Sequence, residues 1–521
     1  MDVRRSLMLV AALGSAWTLA GAQGTWRVSV DSSGVEGDFA SDWPSLSRDS
    51  RFVAFGSRAS NLVPGDTNAY YDVFVHDRQN GTTTRVSVDS SGQQANGGSY
   101  FPSISADGRF VEFESDATNL VPGDISPHVD VFIHDRQTGI TTRVSVDSSG
   151  AQANSSSYRA MISADGHFVT FDSDAANLVP GDFNDEQDVF VHDCQTGMTI
   201  RVSVDSSGVE GNDSSLYSSI SGDGRFVAFG SFATNLVPGD TNRKADVFVH
   251  DHQTGATTRV SVNSSGGQAN NSSFVPSISA DGRFVAFESD ATNLVVDDTN
   301  GYCDVFRHDR QTGRTRRVSV DSSGNQGNDE SSDASISADG RFVAFQSLAT
   351  NLAAGDINRS LDAFRHDRQT GVTTLVSVNS SGIQGRGDSC DPSIAGDGRS
   401  VAFASVVTTL VSGDTNGVSD VFVHGPYLTL EANPETVSTG DTLALTTWKG
   451  LVGACALLTA VDLNGTPLWT LAIDIFDAGG LWTLSGTVPP GLSGNVVTFL
   501  SIGFAPTGEL ELSNLEVVAF Q

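Results

Sequence analysis

The sequence predicts an all-β protein, a seven-bladed β-propeller of four-stranded blades followed by a small C-terminal β-sandwich. Three observations carry this expectation. First, the tetrapeptide Arg-Val-Ser-Val starts at Arg27, Arg85, Arg143, Arg201, Arg259 and Arg317 and reads Leu-Val-Ser-Val at Leu375, so a 58-residue unit recurs seven times without insertion or deletion. Second, each unit holds four short runs of strand-forming residues and no helical periodicity. Third, the chain opens on a fourth strand without its first three, and the last unit has three strands without a fourth. If the N-terminal strand completes the last blade, the ring closes at seven and leaves no free sheet edge.

Taken in order, residues 1–22 read as a secretory signal peptide. Arg4 and Arg5 form a basic start, Leu7 to Ala20 is apolar, and Ala20-Gly21-Ala22 is a small-residue cleavage site before Gln23. Such a leader is too short to anchor the chain across a bilayer, so a secreted, periplasmic or envelope location is expected. Residues 23–428 are the repeats. In the second unit, Phe101 to Ser105 is a strand, Ala106-Asp107-Gly108-Arg109 a two-residue hairpin turn and Phe110 to Glu114 a second strand. A long polar connection, Ser115 to His128, leads to Asp130-Val131-Phe132-Ile133-His134. Arg136-Gln137-Thr138-Gly139 turns the chain into a fourth strand, Thr141 to Val146. The orphan strand at the start of the chain is Trp26 to Val30. From residue 429 the period stops, and six to seven apolar runs separated by Gly, Pro, Asn and Asp predict the sandwich over 429–521.

The formal net charge of −32, with lysine only at Lys244 and Lys449, excludes a phosphate-binding surface and hence nucleic acid as a partner. Cys194, Cys303, Cys390 and Cys455 occupy unrelated positions without zinc or redox spacing. Catalytic signatures are missing: there is no Gly-x-Ser-x-Gly elbow and no His-Glu-x-x-His. Single-repeat departures such as His128, His167, Glu330, Arg386 and Asp388 are scattered and share no chemical logic.

The repeats Ser-Ile-Ser-Ala-Asp-Gly-Arg-Phe-Val-Ala-Phe, Asp-Val-Phe-Val-His-Asp and Gln-Thr-Gly resemble the TolB-type, WD-repeat-like propellers of exported bacterial proteins, over about residues 25 to 428. The resemblance implies the fold but not a role, since such propellers serve binding, lyase and peptidase-gating proteins alike. TolB's additional N-terminal domain has no counterpart between Gln23 and the first strand, so TolB's function is not implied.

In a four-stranded meander both tight turns lie at one end and both long connections at the other. The long-loop face, over the central channel, is therefore where a ligand is expected. Its loops carry a recurring Asp-x-Asn…Asp: Asp66, Asn68 and Asp72; Asp182, Asn184 and Asp188; Asp240, Asn242 and Asp246; Asp298, Asn300 and Asp304; Asp356, Asn358 and Asp362; Asp414, Asn416 and Asp420. The second unit has Ser126 in the Asn position. These oxygens suit calcium, although the Gly and Glu of established calcium loops are missing. Turn capping through side-chain-to-backbone bonds is the reading these loops favour over calcium. Seven histidines share one repeat position, His76, His134, His192, His250, His308, His366 and His424. On the third strand they read as packing and hydrogen-bonding elements rather than a metal ring. Asp77 and Asp135 read as turn acceptors.

The sequence thus points to an exported, non-catalytic propeller that binds a protein or glycan. The alternatives are a propeller lyase or hydrolase acting on polysaccharide, and a structural surface or matrix protein. The oligomeric state is not legible.

Overall fold

The computed structural model describes residues 23–124 and 128–426, together with six strands of the C-terminal segment. The expected signal peptide and Ser126 lie outside the described residues.

Seven four-stranded antiparallel sheets follow one another, and seven is the blade number the period predicts. Blade 1 is built from Ser41–Leu46, Phe52–Ser57, Asp72–Asp77 and Thr82–Arg85, and blades 2 to 6 repeat this order from Ser99, Ser157, Ser215, Ser273 and Ser331. Blade 7 takes Ser389–Ile394, Val401–Ser405 and Asp420–Pro426 from the end of the repeats and Gln23–Arg27 from their beginning. The first strands neighbour one another all the way round, with that of blade 7 beside that of blade 1. They are the inner wall of the ring.

The second and third strands are buried along nearly their whole length because each blade is covered on both faces by its neighbours. The cross-strand pair Phe55 and Phe74 stacks with ring centroids 5.9 Å apart, and every blade repeats it. Such pairs contribute about 0.5–1.5 kcal/mol each beyond their buried area. The apolar clusters lie between blades. One joins Val53, Phe55, Leu62 and Phe74 of blade 1 to Ala402, Val421 and Val423 of blade 7, with Val28 of the N-terminal segment in it. The long connection is less polar than its composition suggests, since Ala117 and Leu120 are buried anchors in such a seam.

Two local expectations are corrected. The first turn is a four-residue loop: Ser105 N donates to Phe110 O at 2.9 Å, and Gly108 N to Ser105 O at 2.9 Å. Gly108 takes φ 72°, and an added Cβ would run into the Phe52 ring of the preceding blade. The fourth strand also ends early, at Arg143 rather than Val146, and at Arg27 rather than Val30. The serine of Arg-Val-Ser-Val is the cause. Ser87 Oγ donates to Asp72 Oδ1 at 2.5 Å and accepts Val73 N at 3.1 Å, so a side chain takes over the ladder.

In the C-terminal segment Leu457–Val461 lies between Pro467–Ala472 and Val496–Phe504, which pairs in turn with Leu510–Ala519. Thr442–Thr447 pairs with Trp482–Thr487. The sheet-on-sheet packing of a sandwich lies outside the described residues.

The closure seam repeats the bonds of every other seam with residues nearly 400 apart. Val28 N donates to Val421 O at 2.8 Å, Ser29 Oγ to Asp420 Oδ1 at 2.5 Å, and Thr25 Oγ1 meets His424 Nδ1 at 2.9 Å. Deleting residues 23–30 bares the edge of blade 7 and is expected to raise the aggregated fraction over that of the full chain by size-exclusion chromatography. Thr25→Val, which costs one buried hydroxyl network, should lower the melting temperature while leaving the protein soluble.

Candidate functional site

Asn68 Oδ1 accepts Tyr70 N at 3.0 Å while its Nδ2 donates to Ala95 O at 3.0 Å, so the asparagine caps the turn and ties it to the next long loop. Asn184, Asn242, Asn300, Asn358 and Asn416 do the same in their blades. The two aspartates converge on a guanidinium. Arg85, the first residue of the repeated tetrapeptide, stands 3.5 Å from both Asp66 and Asp72, and Gln94 Nε2 bridges the same two at 2.7 and 3.0 Å. Arg143, Arg201, Arg259, Arg317 and Arg27 occupy the equivalent place. Blade 6 has Leu375 there, and burial pushes Asp362 up to about 6.

In two blades a glutamate replaces the bridging glutamine. Glu36 with Asp414 and Asp420, and Asp182 with Asp188 and Glu210, bring three carboxylate oxygens within 4.8 Å of one another. Each could coordinate a divalent cation. Each also surrounds an arginine, with Arg201 Nη1 at 2.6 Å from Glu210 and 3.0 Å from Asp188.

The seven histidines are structural. His76 Nδ1 lies 2.9 Å from Thr83 Oγ1, whose hydroxyl donates to Val30 O of the neighbouring blade, and all seven blades repeat the arrangement. The threonine's single hydrogen is committed to the carbonyl, so Nδ1–H must be the imidazole's donor. Burial lowers His76 to about 4, which keeps it neutral. Asp135 is the expected turn acceptor, taking Gln137 N at 2.9 Å, and it is gripped bidentately by Arg109 at 2.9 and 2.7 Å.

The hairpin end of the channel is closed by backbone. Arg48 N donates to Ala106 O, Ala106 N to Ala164 O, and the chain of bonds continues through Gly222, Ala280, Ala338 and Gly396 before Asp397 N returns to Arg48 O, at 2.9 to 3.2 Å throughout. Hydrogen-bonded backbones about 5 Å apart put a seven-membered ring at a Cα radius of roughly 6 Å, so little more than water passes once atomic thickness is subtracted. The approach is close: a Cβ added to Gly222 would stand 3.0 Å from Ala280 and one added to Gly396 2.8 Å from Arg48, although four blades accommodate alanine at this position and blade 1 an arginine.

The other end is where the repeats diverge. Each first strand bulges near its start, between Asp42 and Ser45 in blade 1, and the bulged residue has a left-handed backbone. Those residues are Trp43, Phe101, Arg159, Tyr217, Val275, Asp333 and Asp391, with φ between 46° and 59°. None is glycine, and φ above zero is a genuine outlier for β-branched Val275. Strain held at one position in seven blades directs attention to the channel mouth. Beside them, Gly56, Glu114, Asp172, Gly230, Glu288, Gln346 and Ala404 share the facing position of the second strand. Where that residue is acidic or amide it accepts the bulge N–H of the next blade: Asp172 Oδ2 takes Tyr217 N at 2.6 Å, Glu288 Oε2 takes Asp333 N at 3.2 Å, and Gln346 Oε1 takes Asp391 N at 3.0 Å. Gly56 is small because Trp43 lies over it, with Cε3 2.8 Å from where a Cβ would stand.

Burial dominates the mouth's electrostatics. It raises Glu114 to about 8, Asp172 to about 7, Glu288 to about 7 and Asp391 to about 6. Glu112, two residues before Glu114 and fully buried, has neither carboxyl oxygen hydrogen-bonded and is held protonated. Trp43 packs with Phe101, Tyr71 and Tyr100 at centroid distances of 4.3, 5.0 and 6.1 Å. Around the channel, Leu46 N donates to Ser393 Oγ at 3.2 Å, and serine links like this join neighbouring first strands. Met161 interrupts that series and is exposed.

The sequence points to the long-loop face without singling out these residues. His167 turned out to lie in a hairpin turn against Gln195, and Asp388 in a long loop against Leu361 N, so the scattered departures do not meet. The usable signal was divergence at a fixed repeat position, visible as Trp43, Phe101, Arg159 and Tyr217 only once the repeats are stacked.

No family model matches the chain, and no curated protein does. Among solved structures it is similar to a protein assigned as TolB from Agrobacterium tumefaciens, with 13% identity, TM-score 0.37 and coverage of 67% of this chain and 95% of that one. It is also similar to the periplasmic gluconolactonase PpgL of Pseudomonas aeruginosa, with 18% identity, TM-score 0.32 and coverage of 64% and 84%. A third is the extracellular domain of a protein assigned as a hybrid two-component system from B. thetaiotaomicron, with 11% identity, TM-score 0.40 and coverage of 96% and 60%. At these values the blade number and closure rest on this chain's own strand pairing.

Glu112→Ala installs the residue that blades 1, 4, 5, 6 and 7 carry at this position. Because the folded carboxyl titrates above its unfolded value, wild-type stability falls as pH rises above about 4.5, when only the unfolded chain ionises. The variant should therefore melt higher than wild type, with a larger gain at pH 8 than at pH 4.5 by differential scanning fluorimetry.

Proposed function

We propose that this is an exported, non-catalytic propeller that binds a protein or glycan partner at the long-loop mouth of its channel. The supporting observation is the contrast between the ends: one is sealed by a ring of seven near-identical turns, and the other gathers strained, divergent aromatic and acidic residues. A leader-like segment at residues 1–22 and the absence, among the described residues, of any helix long and apolar enough to cross a membrane are consistent with export. A second reading, action on polysaccharide as lyase or hydrolase, draws on Glu114 and Asp172, whose raised values suit proton transfer near neutral pH.

The test is a paired peptide and glycan array probed with wild type and with Trp43→Ala/Phe101→Ala. Retention of at least one ligand class by wild type, lost at least tenfold in the double variant and kept in the turn variant Gln137→Ala, is expected. Retention unaffected by the double variant would place binding elsewhere. Turnover of a soluble polysaccharide that Asp172→Asn abolishes would favour the catalytic reading instead.

Calcium is proposed as a loop-ordering ion at the two three-carboxylate clusters. Thermal unfolding with calcium and with chelator is expected to differ, by about 2.7 kcal/mol at 100 times the dissociation constant. Superimposable curves would remove the ion from this proposal.

A further inference from the structure

The aromatic residues at the mouth form a cup rather than a plane. Trp43 is inclined at 37° to Phe101, 41° to Tyr71 and 72° to Tyr100, and Phe101 is 47% exposed. A sugar ring stacks best on a flat exposed face, whereas several rings turned toward one point present their negative faces to a compact cation. Beside the cup runs an arc of carboxylates from four successive blades. Asp42 accepts the Tyr71 hydroxyl at 3.1 Å, Asp391 interacts electrostatically with Asp42 and Asp333, and Asp333 N is held by Glu288 at 3.2 Å. Among the described residues no arginine or lysine forms an ion pair with any of these four. Some of the protein's aromatic rings are met by its own arginines. Arg159 lies 3.8 Å over Tyr217 at the blade 3–4 side of the mouth, and Arg58 lies 5.4 Å over Phe39 and 6.0 Å over Tyr71, a ring of the cup itself. No such guanidinium stands over Trp43 or Phe101 among the described residues.

Resting on the proposed binding role of the mouth, we infer that its ligand is a basic peptide segment whose lysine or arginine side chain enters the cup of Trp43 and Phe101 against the arc of Asp42, Asp333 and Asp391. The cup supplies the apolar and π contacts to the side chain's stem and head, and the arc supplies the charge complement. The closed hairpin end means that the side chain inserts from the long-loop face and cannot thread through.

Isothermal titration of the full chain with tetralysine, tetraarginine, tetraglutamate and a neutral chitotetraose tests this at 150 mM salt. One-to-one binding of a basic peptide is expected, at least tenfold weaker in Asp333→Asn/Asp391→Asn and in Trp43→Ala, and unchanged in Asp185→Asn, a loop carboxylate outside the mouth. Basic peptides that bind no better than tetraglutamate, or equally well to the mouth variants, would overturn the inference; in the latter case the protein's overall acidity is the attractant. Chitotetraose binding that Trp43→Ala abolishes, without basic-peptide binding, would overturn the cation but keep the mouth. Melting curves of the isosteric Asn variants, expected to match wild type, separate lost recognition from lost folding.

Discussion

Every part of this structure depends on one constraint, that a blade has two apolar faces and can bury neither alone. The Phe55–Phe74 pair and its six counterparts are fully covered only because the next sheet lies on each side. A row of such sheets would always end in two bare faces, and a closed circle has none. Closure is therefore the source of stability, and the segment that effects it must be drawn from the opposite end of the repeats. The seam is made of the same contacts as the others, with Val28 in the apolar cluster and Thr25 in the histidine network. Nothing in it is specialised, which is why seven equivalent units suffice.

That equivalence explains what could be read in advance. Strand order, blade number and closure follow from a period and from which strands are left over at each end. Turn acceptors such as Asp135 and capping residues such as Asn68 follow from local chemistry, because their partners lie within the same or the next unit. Ladder details did not follow. Ser87 replaces a backbone partner with its hydroxyl and ends the strand early, a competition that no propensity reveals. The arginine at the head of the tetrapeptide marks the period, and its guanidinium is the counter-charge of the Asp pair thirteen and nineteen residues earlier in the chain, a pairing that local chemistry does not reveal. The same acids suit calcium by their oxygens alone, and only the two clusters with a third carboxylate gather enough of them to coordinate a divalent cation beside the arginine.

The site was harder still, for a physical reason. A repeat protein announces what its units share, and recognition needs what they do not. The bulge lets the two requirements coexist. It takes one residue of each inner strand out of the regular ladder and turns it left-handed, at a cost of order 1–3 kcal/mol per residue. The ring carries that cost: the bulge N–H is satisfied by the neighbouring blade in four seams, through Glu114, Asp172, Glu288 and Gln346. Once freed from pairing, the position tolerates Trp43, Arg159 or Asp333 without altering the blade.

The two ends of the channel then follow different rules for the same reason. At the hairpin end the inter-blade bonds are made by backbone, so they persist whether the residue is alanine, glycine or, in blade 1, Arg48, and they leave no room for a ligand. At the mouth the inter-blade bonds are made by side chains, so a unit can omit one, as blades 1, 4 and 7 do with Gly56, Gly230 and Ala404, and in blades 1 and 4 an aromatic ring takes the space instead. Trp43 lies over Gly56 and Phe274 approaches Gly230 at 3.7 Å. Substituting a carboxylate by a ring in selected seams divides the mouth into an aromatic sector and an acidic one. A closed ring of identical units can acquire a directional binding surface in this way without changing its architecture.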